Sequence, residues 1–184
     1  MQSQKTFLPT ANLSLQRAAE KDIPLIRNLS TKIWPPTYSA ILSAQQIDYM
    51  MALMYSEEAL LQQMKDNHEF IIVKDGKEAI GFASFSMTQP GVYKLHKIYV
   101  APLNQGKGTG RFVIEQIIKA IVRKGGLSLQ LNVNRNNKAK EFYEKLGFKV
   151  IKEEDIDIGN GYLMNEDQMD PRNLLECKIP KAGD

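Results

Sequence analysis

Cysteine is almost missing from this chain: Cys177 stands alone among 184 residues. That excludes an internal disulfide. With only His68 and His96 to join it, and no CxxC or HxxxH spacing, a structural zinc site is excluded too, and no metal is expected. Long apolar runs are also missing. None approaches the roughly 20 residues that a membrane helix needs, so no membrane partner is expected. Residues 1–12 are polar and lack the apolar centre of a signal peptide. The chain therefore reads as reduced and cytoplasmic. Repeats and low-complexity tracts are absent. A large net charge is absent as well: at +3 the total gives no sign of a nucleic-acid partner.

What is present suits an ordinary globular domain. The apolar share is 43% and the charged share 24%, and the length fits one domain over residues 1–184, with 1–12 and 180–184 as flexible ends. Charge is unevenly spread. Between Gly91 and Lys152 thirteen Lys or Arg face three Glu and no Asp; between Glu153 and Asp170 there are seven acids and no Lys or Arg. The basic stretch suits an anionic ligand, and equally a solvated face.

The periodicity gives an element order. Residues 13–18 read as a strand. Asp22 is placed to cap a helix whose apolar face is Ile23, Ile26, Leu29 and Ile33, and Trp34-Pro35-Pro36 is expected to end it. Ser43 caps a second helix and Ser56 opens a third. Then the period changes. Strands are expected over 69–74, 79–87 and 92–101, joined by turns at Asp75-Gly76 and Pro90-Gly91. A glycine-rich loop spans 104–110, followed by an amphipathic helix over 111–124 with Ile114, Ile117, Ile118 and Ile121 on one side. A strand over 128–133, a helix over 137–146 and a strand over 149–158 complete the regular part. One more strand follows Gly161, for which Met164, Met169 and the run Leu174-Leu175-Glu176-Cys177 compete. This order predicts an α/β fold: a mixed, mostly antiparallel sheet of six to seven strands with helices on both faces.

The loop Gln105-Gly106-Lys107-Gly108-Thr109-Gly110 joins a strand to a helix. Small residues let several backbone N–H groups converge beside a helix N-terminus, which makes an anion site suited to a pyrophosphate; Lys107 and Arg111 add charge. Two common phosphate motifs fail. Counted from Gly106, the nucleotide P-loop needs its second glycine and its lysine where Arg111 and Phe112 stand, and the dinucleotide fingerprint needs its last glycine at Arg111. A plain tight loop is the alternative reading.

Leu95-His96-Lys97-Ile98-Tyr99-Val100-Ala101-Pro102, followed by Gln105, Gly108 and Gly110, resembles the acetyl-CoA-binding motif of the GNAT superfamily. About thirty residues on, Asn136-Asn137-Lys138-Ala139-Lys140-Glu141-Phe142-Tyr143-Glu144-Lys145-Leu146-Gly147-Phe148 is similar to a second motif of that family. The segment from Ile33 to Tyr38, with Leu42-Ser43 and Gln46-Ile47, loosely resembles a bacterial branch that includes polyamine acetyltransferases. The resemblance implies acetyl-CoA as cosubstrate and a sheet splayed where it binds. By match, backbone groups of Ile98 and Val100, with Tyr99 between them, pair with the pantetheine arm. The amides of Gln105, Gly106, Lys107, Gly108, Thr109, Gly110 and Arg111 hold the pyrophosphate, and Asn136, or its neighbour Asn137, orders the site. Tyr143 matches the general acid that protonates the departing thiolate; its alternative is a helix-packing aromatic. His96 stands where many relatives carry a glutamate, and an imidazole accepts protons near neutral pH. By alternation it shares a strand face with Ile98 and Val100. A surface or cofactor-side histidine is the alternative.

The acceptor pocket is expected between the N-terminal helices and the strand 92–101, lined by Trp34, Tyr38 and Tyr93, with Tyr49 and Tyr55 as further aromatics in reach. The acidic run from Glu153 to Asp157 either attracts a cationic amine or is a solvated edge. The resulting expectation is an N-acetyltransferase for a small primary amine, polyamine-like in character, working as a monomer or homodimer. A protein N-terminal or lysine acetyltransferase and a non-catalytic acyl-CoA-binding module are the competing readings.

Overall fold

The computed structural model describes residues 12–171 and Leu174. Seven strands form one sheet in the order β1-β2-β3-β4-β5-β7-β6. They are β1 (Leu13–Arg17), β2 (Glu69–Asp75), β3 (Glu78–Gln89), β4 (Val92–Val100), β5 (Ser128–Asn134), β6 (Lys149–Gly159) and β7 (Tyr162–Asp170). All neighbours run antiparallel except β4 and β5. The helices are α1 (Ile23–Tyr38), α2 (Ala44–Tyr55), α3 (Glu57–Lys65), α4 (Thr109–Arg123) and α5 (Ala139–Lys145). The expected α/β fold, with seven strands and helices on both faces, is the fold observed. Among the described residues no helix is long and apolar enough to cross a membrane.

Two cores result, one on each side of the sheet. Helix α4 lays Val113, Ile114, Ile117, Ile118 and Ile121 against Leu95, Leu129 and Leu131, and α5 adds Tyr143. On the other side α1, α2 and α3 bury Ile26, Ile33, Trp34, Ile47, Met50 and Leu60 against Phe70, Ile72 and Phe82. Serine caps start two of these helices as expected. Ser43 Oγ accepts from Gln46 N at 3.1 Å, and Ser56 Oγ accepts from Ala59 N at 3.2 Å. Asp22 precedes α1, but its carboxylate accepts from Ala19 N at 2.9 Å and so closes the preceding turn instead.

Helix α1 does not stop at Trp34-Pro35-Pro36; it runs on to Tyr38. The prolines remove two donors, but the carbonyls left without them belong to Thr31 and Lys32, which are exposed and meet water. Thr37 Oγ1 donates to Ile33 O at 2.6 Å, and Ser39 N donates to Pro35 O at 2.9 Å, so the turn holds on either side. The extra turn puts Tyr38 one turn beyond Trp34 on the same face, ring centroids 4.5 Å apart.

The last strand settles on 162–170 and takes in both Met164 and Met169. Residues 175–177 of the competing run, Cys177 included, lie outside the described residues, as do residues 1–11 and 180–184. Among the described residues strand β6 forms one edge of the sheet, eleven residues long and largely exposed, with Val150, Ile151, Glu153, Asp155 and Asp157 in water.

Candidate active site

Strands β4 and β5 pair only from Val92 to Leu95 and from Ser128 to Leu131. Beyond that they part: β4 stays with β3, and β5 goes with β7. This is the splay that the resemblance implied. Ala101 N donates to Ile80 O at 2.7 Å, toward β3. By alternation Ile98 and Val100 turn their main-chain groups into the gap. One of these groups is already engaged, because Val100 O accepts from Gln105 Nε2 at 2.8 Å. A cavity of about 1270 Å³ opens through the gap to both sides. That exceeds the usual volume of roughly 300–1,000 Å³ for a small-molecule pocket.

At the cofactor-like end, α4 starts at Thr109 with Gly108 before it at φ +81°, a left-handed conformation that favours glycine. The first intrahelical bond is Phe112 N to Gly108 O, so the amides of Thr109, Gly110 and Arg111 have no partner within the helix. A Cβ built on Gly106 or Gly108 would meet nothing within 4 Å, so the approach is open. Lys107 is exposed, and Arg111 pairs with Glu115 at 2.9 Å. The Thr109 hydroxyl is buried and donates to Asn104 O at 3.2 Å. Of the two adjacent asparagines, Asn136 is exposed. Asn137 is half-buried, accepts from Ala139 N at 2.9 Å and reaches the Tyr38 hydroxyl. Together these residues fit a pyrophosphate with a narrow arm running up the gap.

Tyr143 of α5 lines the cavity, packed edge-on to Phe148. Burial holds its hydroxyl well above the usual tyrosine range, so it stays protonated.

A profile described as an acetyltransferase (GNAT) domain matches residues 39–163. The chain belongs to the GNAT acetyltransferase family. The spermidine N(1)-acetyltransferase of Thermoplasma acidophilum is 26% identical over 161 residues, which covers 84% of this chain and 97% of that one. The crystal structure of the PaiA N-acetyltransferase from Thermoplasma acidophilum, solved with coenzyme A, superposes with a TM-score of 0.72 at 25% identity, over 86% of this chain and 97% of that one. A [ribosomal protein bS18]-alanine N-acetyltransferase from Haemophilus influenzae is 32% identical over 88 residues, 48% of this chain and 56% of that one.

On the acceptor side of this GNAT chain, aromatic side chains converge. Trp34 Nε1 donates to Tyr55 Oη at 3.0 Å, and the Tyr38 and Tyr99 hydroxyls lie 3.2 Å apart. Burial raises the Tyr38 hydroxyl; hydrogen bonds from Tyr99 and Asn137 oppose this, and the charge of Glu166 adds to it. Helix α2 roofs the far side. Gln46 Nε2 donates to Leu163 O at 3.1 Å, and Tyr49 Oη donates to Ile158 O at 2.7 Å.

Two sequence expectations need correction here, and both fail at one place. The register passes from Ser84 opposite Lys97 to Phe85 opposite Leu95, which leaves His96 as an extra residue, a β-bulge. The bulge breaks the alternation. Tyr93 and Leu95 therefore pack toward α4, in the core rather than on the acceptor cavity; a Cβ on Gly126 would come within 3.0 Å of the Tyr93 ring. Tyr93 is a core residue. His96 does not share a face with Ile98. It points to the α1–α3 side, its Nε2 2.7 Å from Ser86 Oγ and its ring stacked on His68 at 4.0 Å. Burial, with His68 and Lys97 adding, pushes its pKa down to about 3.

The bulge also brings in a residue that the sequence reading passed over. Lys97 is buried, with Nζ donating to Gln63 Oε1 at 2.8 Å above the rings of Tyr55 and Phe70, and burial lowers its pKa to about 8. Glu166 on the cavity wall was passed over as well, because its strand had no fixed register. The odd spacing of Met164 and Met169 was the available signal: buried Met169 and half-buried Met164, five apart, face opposite sides, and Glu166 goes with Met164.

Proposed function

We propose that the chain is an acetyl-CoA-dependent N-acetyltransferase that moves an acetyl group directly to a primary amine of a small molecule, polyamine-like in character. The observation that carries this is the parting of β4 and β5, with a glycine-lined helix start at one end, Tyr143 on the wall and an aromatic pocket at the other end. The amides of Thr109, Gly110 and Arg111 hold the pyrophosphate, the main-chain groups of Ile98 and Val100 that stay open in the gap hold the arm, and Asn137 orders the pocket through Tyr38. Tyr143 gives its proton to the departing thiolate. The bonds from α2 to the β6–β7 hairpin support a roofed pocket for a small acceptor over an open peptide groove.

The test pairs binding with turnover. Acetyl-CoA raises the melting temperature of the wild type by mass action, and Gly108→Asp abolishes the rise by setting a carboxylate where the pyrophosphate lies. Thiol release is then followed with spermidine, a simple alkylamine and an alanine-ended peptide. Faster release with the small amines supports the reading. Equal thermal shifts in both proteins, or turnover with the peptide alone, overturn it.

A further inference from the structure

No motif marks Glu166, and the family resemblance assigns it no role. It stands on β7 opposite Asn134, at the end of β5 that has parted from β4. Its side chain lies on the α1–α3 side of the sheet and lines the cavity. Oε2 accepts from Asn132 Nδ2 at 2.8 Å, and among the described residues that is the carboxylate's only hydrogen bond. The charged and titratable groups facing it are Lys94 from β4, Glu154 from β6 and Tyr38 from α1. Burial raises its pKa above the ordinary glutamate value, Asn132 and Lys94 pull it back, and Glu154 raises it further. A half-buried carboxylate with one oxygen free, beside a gap that admits a thioester, is suited to an ammonium group.

His96 lines the same cavity, but its ring is more confined. One ring nitrogen is engaged with Ser86, and one ring face is covered by His68. We propose that Glu166, not His96, receives the ammonium group of the acceptor and takes its proton. This rests on the reading that the chain acetylates a small amine. The ammonium gives one proton to Glu166, which passes it to solvent. The freed nitrogen lone pair forms the C–N bond as the C–S bond breaks. The second proton leaves nitrogen during that exchange and replaces, through water, the proton that Tyr143 delivers to the thiolate sulfur.

The experiment follows kcat/KM for spermidine against pH, with rates corrected for free amine, in the wild type, Glu166→Gln, Glu166→Asp and His96→Gln. The wild type shows an acid limb set above the usual glutamate range. In Glu166→Gln the limb vanishes and kcat/KM falls about 10²-fold or more, with the acetyl-CoA thermal shift unchanged. Glu166→Asp, which keeps the charge, retains a limb. His96→Gln keeps the limb at the wild-type pH. A wild-type rate and limb in Glu166→Gln overturn the proposal, as does a limb that disappears in His96→Gln. A Glu166→Gln protein that fails to fold leaves the decision to the other two variants. Failure of the wild type to acetylate any small amine overturns the underlying reading instead, and the proposal with it.

Discussion

A Cβ placed on Gly110 would lie 3.2 Å from Cζ of Phe142, so the glycine of one family motif is fitted against the aromatic of the other. With a Cβ at residue 110 the Phe142 ring would have to give by a few tenths of an ångström for α4 to stay this close to α5. Gly110→Val forces the Phe142 ring aside and displaces its neighbour Tyr143. We expect a loss of about 1–3 kcal/mol in urea unfolding, with a raised KM for acetyl-CoA. Unchanged stability and KM would show that the two helices move apart freely.

Tyr143→Phe removes a hydroxyl and little else. Phe142 and Phe148 hold the ring, and among the described residues no hydrogen bond is made by the hydroxyl. The expected outcome is a kcat lower by roughly 10²–10⁴-fold with the acetyl-CoA thermal shift retained. A wild-type kcat in this variant would reduce Tyr143 to a packing residue.

His96 makes stability pH-dependent with a definite sign. Its folded pKa is pushed down to about 3, below the ordinary value of 6.5. Between those values the unfolded chain binds a proton that the folded chain refuses, so stability is full above about pH 6.5 and falls as the pH drops toward 3. The lowered pKa of His68 acts in the same direction. Melting temperatures taken from pH 7.5 to 4.5 should fall less steeply in His96→Gln than in the wild type. Parallel curves would mean that the imidazole is freely hydrated.

The cofactor end of the site was legible because its constraints are local. Glycines before a helix and an aromatic pair on the next helix can be read without knowing the sheet. The acceptor end was harder. A single inserted residue at His96 reverses the strand's faces, which puts Tyr93 in the α4-side core and Lys97 over the rings of Tyr55 and Phe70, against simple alternation. Nothing in the apolar pattern announces a bulge, because Leu95 and Ile98 are both apolar whichever way they point. The helix past Pro35-Pro36 escaped for another reason. Proline penalises a helix only where the lost bonds cannot be replaced, and exposure of Thr31 and Lys32 is a tertiary fact. Glu166 was hidden among seven acids in a row of strands whose register depends on pairing with β5 and β6.

The outer strand β6 bears on how copies of the protein behave toward each other. Among the described residues one side of this eleven-residue strand is unpaired, and such an edge is a template on which another chain can grow. Here Glu153, Asp155 and Asp157 recur at every second position, and among the described residues only Asp155 of the three is ion-paired, to Arg135. Two such edges brought together would set carboxylate against carboxylate along their length. The acidic row therefore acts as a guard against stacking of strands between molecules. Replacing that row with neutral residues would leave the exposed Val150 and Ile151 to attract the next copy.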